Sequence, residues 1–230
     1  MNSRTNRIVV CAALVLAVAA FAQPARANLL VDPGFEVNAL TSYVNVLTDF
    51  TTYQGIWGVE NATIVTAENG ITPAQGVQML RMEDDGLLTT QGFQVTDVSS
   101  YAGLIDSGAG IVGLSALFNV DKGVPAAVAA VYLQFFSAAN YGSQIGSYVG
   151  TGLTLDNLDS TWEMIAYSGA IPVNTRWVLS QVAYSDASLV GIDGAVHPGY
   201  VDAADLRITP EPASLGLLLL GAASMWMRRR

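Results

Sequence analysis

The feature that most limits the fold is a succession of short runs rich in β-branched and aromatic residues between positions 43 and 208. Turn-forming residues separate the runs, as at Asn69-Gly70, Asp85-Gly86 and His197-Pro198-Gly199. Many short strands with frequent turn signals are typical of a β-sandwich. The predicted strands span residues 43–50, 56–65, 77–82, 87–95, 111–120, 128–136, 161–167, 177–184 and 200–208.

One alanine-rich stretch, residues 126–130, is also compatible with a helix. Pro125 precedes it, and the run 131–136 continues it with β-branched and aromatic residues. Proline before the stretch and strand-forming residues after it favour a central strand over a helix.

The first 27 residues have the pattern of a secretory signal peptide. Arg4 and Arg7 precede an apolar stretch over residues 8–21, and Ala25-Arg26-Ala27 places small residues around one position before Asn28. A positive region, an apolar region and such a cleavage site define a secretory signal. We therefore expect export of the chain that begins at Asn28.

The last 21 residues combine a prolyl pair, an apolar run and three arginines. A helix over residues 213–227 rises about 22 Å, short of the roughly 30 Å hydrocarbon core of a bilayer. Trp226 at the interface and extended arginine stems close part of that gap. Because arginines are retained in the cytoplasm, the body is expected on the other side of the membrane. A buried C-terminal helix is the alternative, which three terminal arginines disfavour.

The tail sequence TPEPASLGLLLLGAASMWMRRR resembles the PEP-CTERM sorting signal of Gram-negative bacteria. The resemblance is limited to the tail, residues 210–230, and implies recognition by a membrane enzyme of the exosortase type. It also implies a transmembrane helix before processing, and delivery to the cell surface or the extracellular matrix. The motif residues are Pro210, Glu211, Pro212, Arg228, Arg229 and Arg230.

Residues 28–209 form an acidic body without cysteine. Four basic residues stand against eighteen acidic ones, a net charge of −14. Such a charge disfavours nucleic acid and anionic lipid as partners, and it is compatible with calcium. The only cysteine, Cys11, lies in the predicted signal peptide, so no disulfide is expected in the body. A body of about 180 residues can bury a sufficient core as one domain.

Residues 28–36, with the sequence NLLVDPGFE, resemble the opening motif of galactose-binding-like jelly rolls. Carbohydrate-binding modules attached to xylanases and cellulases belong to that group. Its later landmarks follow in order at residues 76–80, 88–98, 130–137, 161–162 and 201–208. The resemblance implies an all-β, jelly-roll β-sandwich. The closing strand departs from the pattern, because Ala203 and Ala204 separate its two acidic residues.

The same resemblance implies a calcium site where the first and last strands meet. Glu36 with Asp202 or Asp205 is the candidate pair, and Asp32 is a further candidate. Calcium takes about six to eight oxygen ligands, which carboxylates and backbone carbonyls supply. The alternative is that these residues are ordinary solvated acids, because carboxylates neighbour one another by chance in an acidic chain.

Sugar binding needs an aromatic face beside hydrogen-bonding groups. Candidate residues in glycine- or serine-flanked positions, with two polar neighbours, are Tyr53, Trp57, Tyr101, Tyr141, Tyr148, Gln91 and Gln94. Core packing is the favoured alternative for Trp57, because large aromatic side chains are mostly buried. Trp162 and Trp177 lie among alternating apolar residues and are predicted core residues.

The sequence offers little for catalysis. Its single histidine, His197, lies in a predicted turn, and no nucleophile elbow or phosphate-binding loop occurs. We expect a non-catalytic protein, either an exported surface or matrix protein or, alternatively, a carbohydrate-binding module with a structural calcium. A secreted glycoside hydrolase is a more distant alternative, because the separation of two catalytic carboxylates is a three-dimensional property.

Overall fold

The computed structural model describes residues 27–37, 40–42, 50–83, 90–185 and 188–211, and strands dominate them. Short helical segments lie at Phe50–Tyr53, Ser99–Tyr101, Ala102–Asp106 (α1) and Tyr141–Ser143. The strands are β1 (Leu40–Ser42), β2 (Trp57–Glu60), β3 (Ala62–Val65), β4 (Met79–Met82), β5 (Thr90–Asp97), β6 (Gly110–Val120), β7 (Val128–Phe136), β8 (Val149–Thr154), β9 (Glu163–Ala170), β10 (Trp177–Tyr184) and β11 (Gly199–Pro210).

These strands form two sheets. The six-stranded sheet has the order β1-β2-β5-β10-β7-β8, and the five-stranded sheet has the order β3-β4-β11-β6-β9. Neighbouring strands are antiparallel except for β1 and β2. The chain crosses repeatedly from one sheet to the other, an arrangement typical of a jelly roll. The prediction of an all-β sandwich is confirmed.

The main core lies between the sheets and follows the two-residue period of the strands. In β6, Val112, Leu114, Ala116 and Phe118 are buried, whereas the residues between them are partly exposed. Tyr184 of β10 is also buried, and its hydroxyl group donates to the carbonyl oxygen of Asn119 at 2.7 Å. Because burial raises the pKa of this phenol, the hydroxyl remains a donor that links the two sheets across the core.

The outer face of the six-stranded sheet is covered at one end. There the segment Phe50–Tyr53 packs its aromatic side chains against strands β5, β7 and β10. The rings of Phe50 and Phe136 have centroids 4.7 Å apart, and Tyr53 lies at the same distance from Phe93. This second cluster leaves the other end of the face to smaller and more polar side chains.

Local sequence patterns locate most of the strands. β7 and β10 have the predicted bounds, and the stretch 126–130 leads into a strand rather than a helix. The run 56–65 is divided at Asn61, whose φ of 50° accompanies the passage from β2 in one sheet to β3 in the other. The pattern misses β8, because Gly150 and Gly152 weaken its strand signal. Residues 43–49 lie outside the described part of the chain.

Most of both terminal segments also lies outside the described residues. These segments are residues 1–26 of the predicted signal peptide and residues 212–230 of the predicted tail, including Pro212 and the three arginines. β11 runs to Pro210, and the backbone N–H of Glu211 donates to the carbonyl oxygen of Ala109 at 2.7 Å. Among the residues that the structure describes, no helix has the length and apolar character needed to cross a membrane. The signal peptide, the sorting signal and its transmembrane helix stay predictions.

Candidate binding cleft and acidic site

A cleft of about 490 Å³ opens on the outer face of the six-stranded sheet, beyond the end that the aromatic cluster covers. Ala130 of β7 and Ala183 of β10 are paired across the two strands, and their short side chains leave room on this face. Tyr132 and Gln181 form the next pair on the same face. The lining residues are Ala130, Tyr132, Gln134, Tyr148, Gln181, Ala183, Tyr184 and Ser185.

Two tyrosines flank this cleft. Tyr148, one of the rings singled out from the sequence, is 63% exposed just before β8, whereas Tyr132 is partly buried in β7. Their rings lie at 83° to each other with centroids 5.7 Å apart, an edge-to-face pair. With this exposure and this support, Tyr148 can offer a ring face to a ligand.

Amide side chains accompany the tyrosines. Gln134 lines the cleft, and its Oε1 is buried without a hydrogen-bond partner in the described part of the chain. The Nε2 group of Gln181 donates to Oε1 of Gln91, whose own Nε2 donates to Glu60 at 2.7 Å. Leaving a buried polar atom unpaired costs about 1–3 kcal/mol. The cleft therefore combines an aromatic face with hydrogen-bonding capacity that the protein itself does not fill.

Two of the predicted sugar-binding rings lie in the interior instead. Trp57 is 1% exposed, packs against Phe35 with ring centroids 5.1 Å apart, and donates its indole N–H to the carbonyl oxygen of Asp32 at 3.0 Å. Tyr53 is equally buried and packs edge-on against Phe93. Neither ring presents a face to solvent, which corrects the prediction that they bind a ligand. The structure supports the alternative that Trp57 packs in the core.

The two predicted glutamines lie on opposite faces of β5. Gln94 is 1% exposed and bonds the backbone of Val31 through both amide atoms, at 2.8 Å and 2.9 Å. Gln91 lies on the outer face, where it contacts Gln181 of the cleft. Gln94 is therefore a structural residue that holds the opening segment of the body, and only Gln91 is placed to influence a ligand in the cleft.

A bulge in β11 accompanies the burial of Asp202. The pairing of β11 with β6 shifts register between Asp202 and Asp205, and Ala203 has a φ of 49°. This left-handed conformation is strained for a residue that carries a Cβ atom. Asp202 is fully buried and accepts hydrogen bonds from the backbone N–H groups of Ala203 at 2.6 Å and Gln75 at 2.8 Å.

Glu36 reaches the same segment, residues 75–78, from the opening motif. Its Oε1 accepts hydrogen bonds from the backbone N–H groups of Val77 at 2.9 Å and Gln78 at 3.0 Å. A Cβ atom at Gly76 would collide with the Glu36 carboxylate, and Gly76 has a φ of 67°, so glycine is required there. Asp32 has a different role, because its Oδ1 accepts the backbone N–H of Glu36 at 2.6 Å.

The acidic site, defined by Glu36 and Asp202, places two carboxylates near each other beside the segment 75–78. Burial raises the pKa of Asp202, its backbone N–H donors oppose that shift, and the negative charge of Glu36 adds to it. No Lys, Arg or His of the described residues forms an ion pair with Asp202. A buried carboxylate is unfavourable unless a charge or hydrogen bonds compensate it. Backbone N–H groups supply part of this compensation for Asp202, and the nearby Glu36 carboxylate opposes it.

Asp205 does not join the acidic site. Its carboxylate pairs with Arg207, with Nε of Arg207 2.7 Å from Oδ2. Within the described ranges, no three His, Cys, Asp or Glu side chains form a group that could hold a metal ion. Of the acids predicted from the sequence, the structure brings together Glu36 and Asp202, whereas Asp205 and Asp32 make other contacts.

Three residues of the cleft escape prediction from the sequence: Tyr132, Gln134 and Gln181. Each lies in a strand whose apolar residues indicate only a core element. The available signal is the alternation in β7, where polar or aromatic residues at positions 132 and 134 interrupt an apolar strand with a period of two. That alternation predicts an accessible outer face, but it does not show which strand lies beside it.

No protein-family model and no curated protein matches this sequence. Solved structures do match. TmCBM61 in complex with β-1,4-galactotriose has 17% identity and a TM-score of 0.48, covering 81% of this chain and 100% of that chain. A family 16 carbohydrate-binding module has 13% identity and a TM-score of 0.44, covering 79% and 99%. The enzymatically active domain of bacteriophage CBA120 tailspike protein 4 has 9% identity and a TM-score of 0.49, covering 79% and 21%. At these identities and scores, the similarity carries no argument about ligand or activity.

Proposed function

We propose that this protein binds a carbohydrate in the cleft lined by Tyr132, Gln134, Tyr148 and Gln181. The observation that carries the proposal is the exposed ring of Tyr148 beside amide groups on an open sheet face. The C–H face of a pyranose stacks on an aromatic ring, and its hydroxyl groups bond to amides. The cleft volume of about 490 Å³ is within the usual range of ligand pockets, about 300–1,000 Å³.

The charge of the protein favours a neutral glycan over an acidic one. The described residues that line the cleft include no Lys, Arg, Asp or Glu. The body carries a net charge of −14, which repels a polyanion as it approaches. An uncharged chain meets no such repulsion, and it can still use every amide and hydroxyl group of the cleft.

The acidic site supports a second proposal, a structural calcium ion held by Glu36 and Asp202. The supporting observation is that Asp202 is fully buried without an ion-pair partner in the described ranges. Bound calcium would supply the positive charge that this carboxylate lacks, and it would link the opening segment to β11. Backbone oxygens or water would complete the ligand set, because no third carboxylate of the described residues joins Glu36 and Asp202.

The ends of the chain support a proposal about location. We propose that the signal peptide exports the body across the inner membrane and that an exosortase-type enzyme recognises the tail, with Pro210, Glu211, Pro212 and the terminal arginines as its motif. The cleft would then face a cell-surface or extracellular polysaccharide. Deleting Arg228–Arg230, or replacing Glu211 with glutamine, is expected to leave the protein unprocessed at the inner membrane. Normal surface delivery of both variants, seen by cell fractionation, would contradict the assignment.

The proposed role is binding, without catalysis. It combines the surface or matrix location with a saturable site, and it is distinct from both an inert matrix protein and a glycoside hydrolase. A screen of the full-length protein, solubilised in detergent, against neutral and acidic polysaccharides separates these possibilities. We expect saturable retention by a neutral polysaccharide that competing oligosaccharides abolish. Absence of retention would indicate an inert matrix protein, and release of reducing ends would indicate a hydrolase.

A further inference from the structure

Three polar side chains form a row from the cleft toward an edge of the six-stranded sheet. Gln181 of β10 lines the cleft and donates through Nε2 to Oε1 of Gln91 in β5. Gln91 donates through its own Nε2 to Oε2 of Glu60 in β2, at 2.7 Å. The three strands are consecutive neighbours in the sheet, so the row crosses it from β10 to β2, directly between Gln91 and Glu60 and diagonally between Gln181 and Gln91.

The direction of every hydrogen bond in this row follows from the carboxylate at its end. An ionised carboxylate only accepts hydrogen bonds, so Gln91 must turn its NH₂ group toward Glu60. The carbonyl oxygen of Gln91 then faces Gln181, so Gln181 must donate to it from its own NH₂ group. This order of donors and acceptors does not depend on how either amide is assigned, because the reverse order would bring two acceptors together, the Oε1 atom of Gln91 and the Glu60 carboxylate.

One acceptor remains at the end of the row. With its Nε2 engaged by Gln91, Gln181 has Oε1 left over, and this oxygen accepts no hydrogen bond from any described residue. Gln181 is paired across the sheet with Tyr132, which places that amide beside the aromatic side of the cleft. Ala183 is paired with Gln91, and its small side chain leaves space over the row.

We infer that Glu60 is a positioning residue for the cleft, which acts through Gln91 to present Oε1 of Gln181 to the ligand. The inference rests on the proposed function and deepens it, because it states what the ligand must offer at this point. A sugar hydroxyl group can donate to Oε1, whereas a carboxylate or another pure acceptor is repelled. Without the carboxylate at position 60, Gln91 can present either side of its amide, and the orientation of Gln181 is no longer fixed.

Glu60→Gln tests the inference, with Glu163→Gln as a matched control. Both substitutions remove one negative charge. Glu163 lies in β9 of the other sheet, where its Oε2 accepts the backbone N–H of Asp156 at 2.6 Å, a bond that a glutamine oxygen also makes. Gln91→Met breaks the row in the middle and leaves Glu60 and Gln181 in place. Each variant is made in the full-length protein.

Two readouts separate orientation from binding. The first is solvent exchange of the Gln181 side-chain NH₂ protons, measured by NMR with ¹⁵N-glutamine labelling and without any ligand. The second is the affinity for a neutral oligosaccharide identified in the screen. In Glu60→Gln and Gln91→Met we expect exchange to rise about 3- to 10-fold and affinity to fall by a similar factor, as for one lost hydrogen bond. Glu163→Gln should change neither.

The outcomes are distinct. Unchanged exchange of Gln181 in Glu60→Gln overturns the inference whether or not the protein binds a glycan. Faster exchange with an unchanged affinity also overturns it, because the orientation of Gln181 then has no effect on the ligand. Faster exchange in a protein that binds no glycan overturns the proposed function and supports the control of Gln181 by Glu60.

Discussion

Gln94 holds the main chain of Val31 at both of its polar atoms. The amide oxygen accepts the Val31 N–H at 2.8 Å, and the amide nitrogen donates to the Val31 carbonyl at 2.9 Å. A buried side chain therefore provides the two hydrogen bonds that a neighbouring strand would otherwise make. It attaches the NLLVDPGFE segment to the six-stranded sheet and helps to place Glu36 beside Asp202.

Replacing Gln94 with leucine is expected to lower the free energy of unfolding by about 1–3 kcal/mol, because Val31 loses both partners. Urea denaturation of the full-length protein measures this change. Gln54→Leu is the control, since Gln54 is exposed and its replacement should stay within about 0.5 kcal/mol. Equal stability of the Gln94 and Gln54 variants would show that this contact does not hold the segment.

Replacing Trp57 with alanine is expected to destabilise the fold by about 3–5 kcal/mol, because a buried ring and its hydrogen bond to Asp32 are lost. Ile56→Ala, at the exposed neighbouring position, should cost far less. Thermal unfolding compares the two variants. A stable Trp57→Ala protein that loses only glycan binding would contradict the interior position of this ring.

The loop 191–197 contains a pH-dependent contact at His197. One ring nitrogen lies 3.2 Å from Asp121 Oδ2 and the other lies 3.1 Å from Asp193 Oδ1. Hydrogen bonds to Asp193 and Asp121 raise the pKa of His197. The stabilisation is therefore complete below about pH 6.5, the usual pKa of histidine, and is lost as the pH rises through the folded-state pKa.

Comparison with His197→Gln tests this contact. The difference in stability between the wild-type protein and the variant should be largest near pH 5.5 and should shrink toward about pH 8.5. At lower pH the difference should shrink again, because the pKa of Asp193 is lowered and its contribution disappears as that carboxylate becomes protonated. A difference that is constant from pH 5.5 to 8.5 would contradict the ionic character of the contact.

Calcium is expected to raise the unfolding temperature of the wild-type protein above its value in chelator. Asp202→Ala is expected to abolish that rise. Because the pKa of Asp202 is raised, ionisation of this carboxylate lowers the stability of the metal-free folded state. The loss of stability appears as the pH rises above the usual Asp range. Asp205→Ala is the control, because Asp205 pairs with Arg207. An equal rise of the unfolding temperature with calcium in the wild-type and Asp202→Ala proteins would contradict calcium binding at the acidic site.

Residues of β5 show what local sequence can and cannot predict. Positions 91 and 94 differ by three, an odd number, so a strand necessarily places Gln91 and Gln94 on opposite faces. The sequence contains that information, and it excludes the prediction that both glutamines contact the same ligand. Which face is open depends on the packing of Phe50–Tyr53 against β5, and a strand pattern does not contain that contact.

Trp57 and Tyr132 illustrate the non-local part of the problem. Gly55 and Gly58 on either side of Trp57 suggest exposure, yet its burial depends on Phe35, which is distant in sequence. Tyr132 lies in a strand whose bounds are predicted from local pattern, but its place in a cleft depends on the pairing of β7 with β10. Both features arise from tertiary contacts, which local patterns do not specify.

The most direct test of the central claim is the affinity of Tyr148→Ala for the neutral glycan, compared with Met164→Ala. Met164 is 66% exposed in β9 of the other sheet, so it matches the 63% exposure of Tyr148 without contributing to the cleft. Isothermal titration should show a loss of about tenfold for Tyr148→Ala, as for one aromatic stacking contact, and unchanged affinity for Met164→Ala. Equal affinities of the two variants would contradict binding in this cleft.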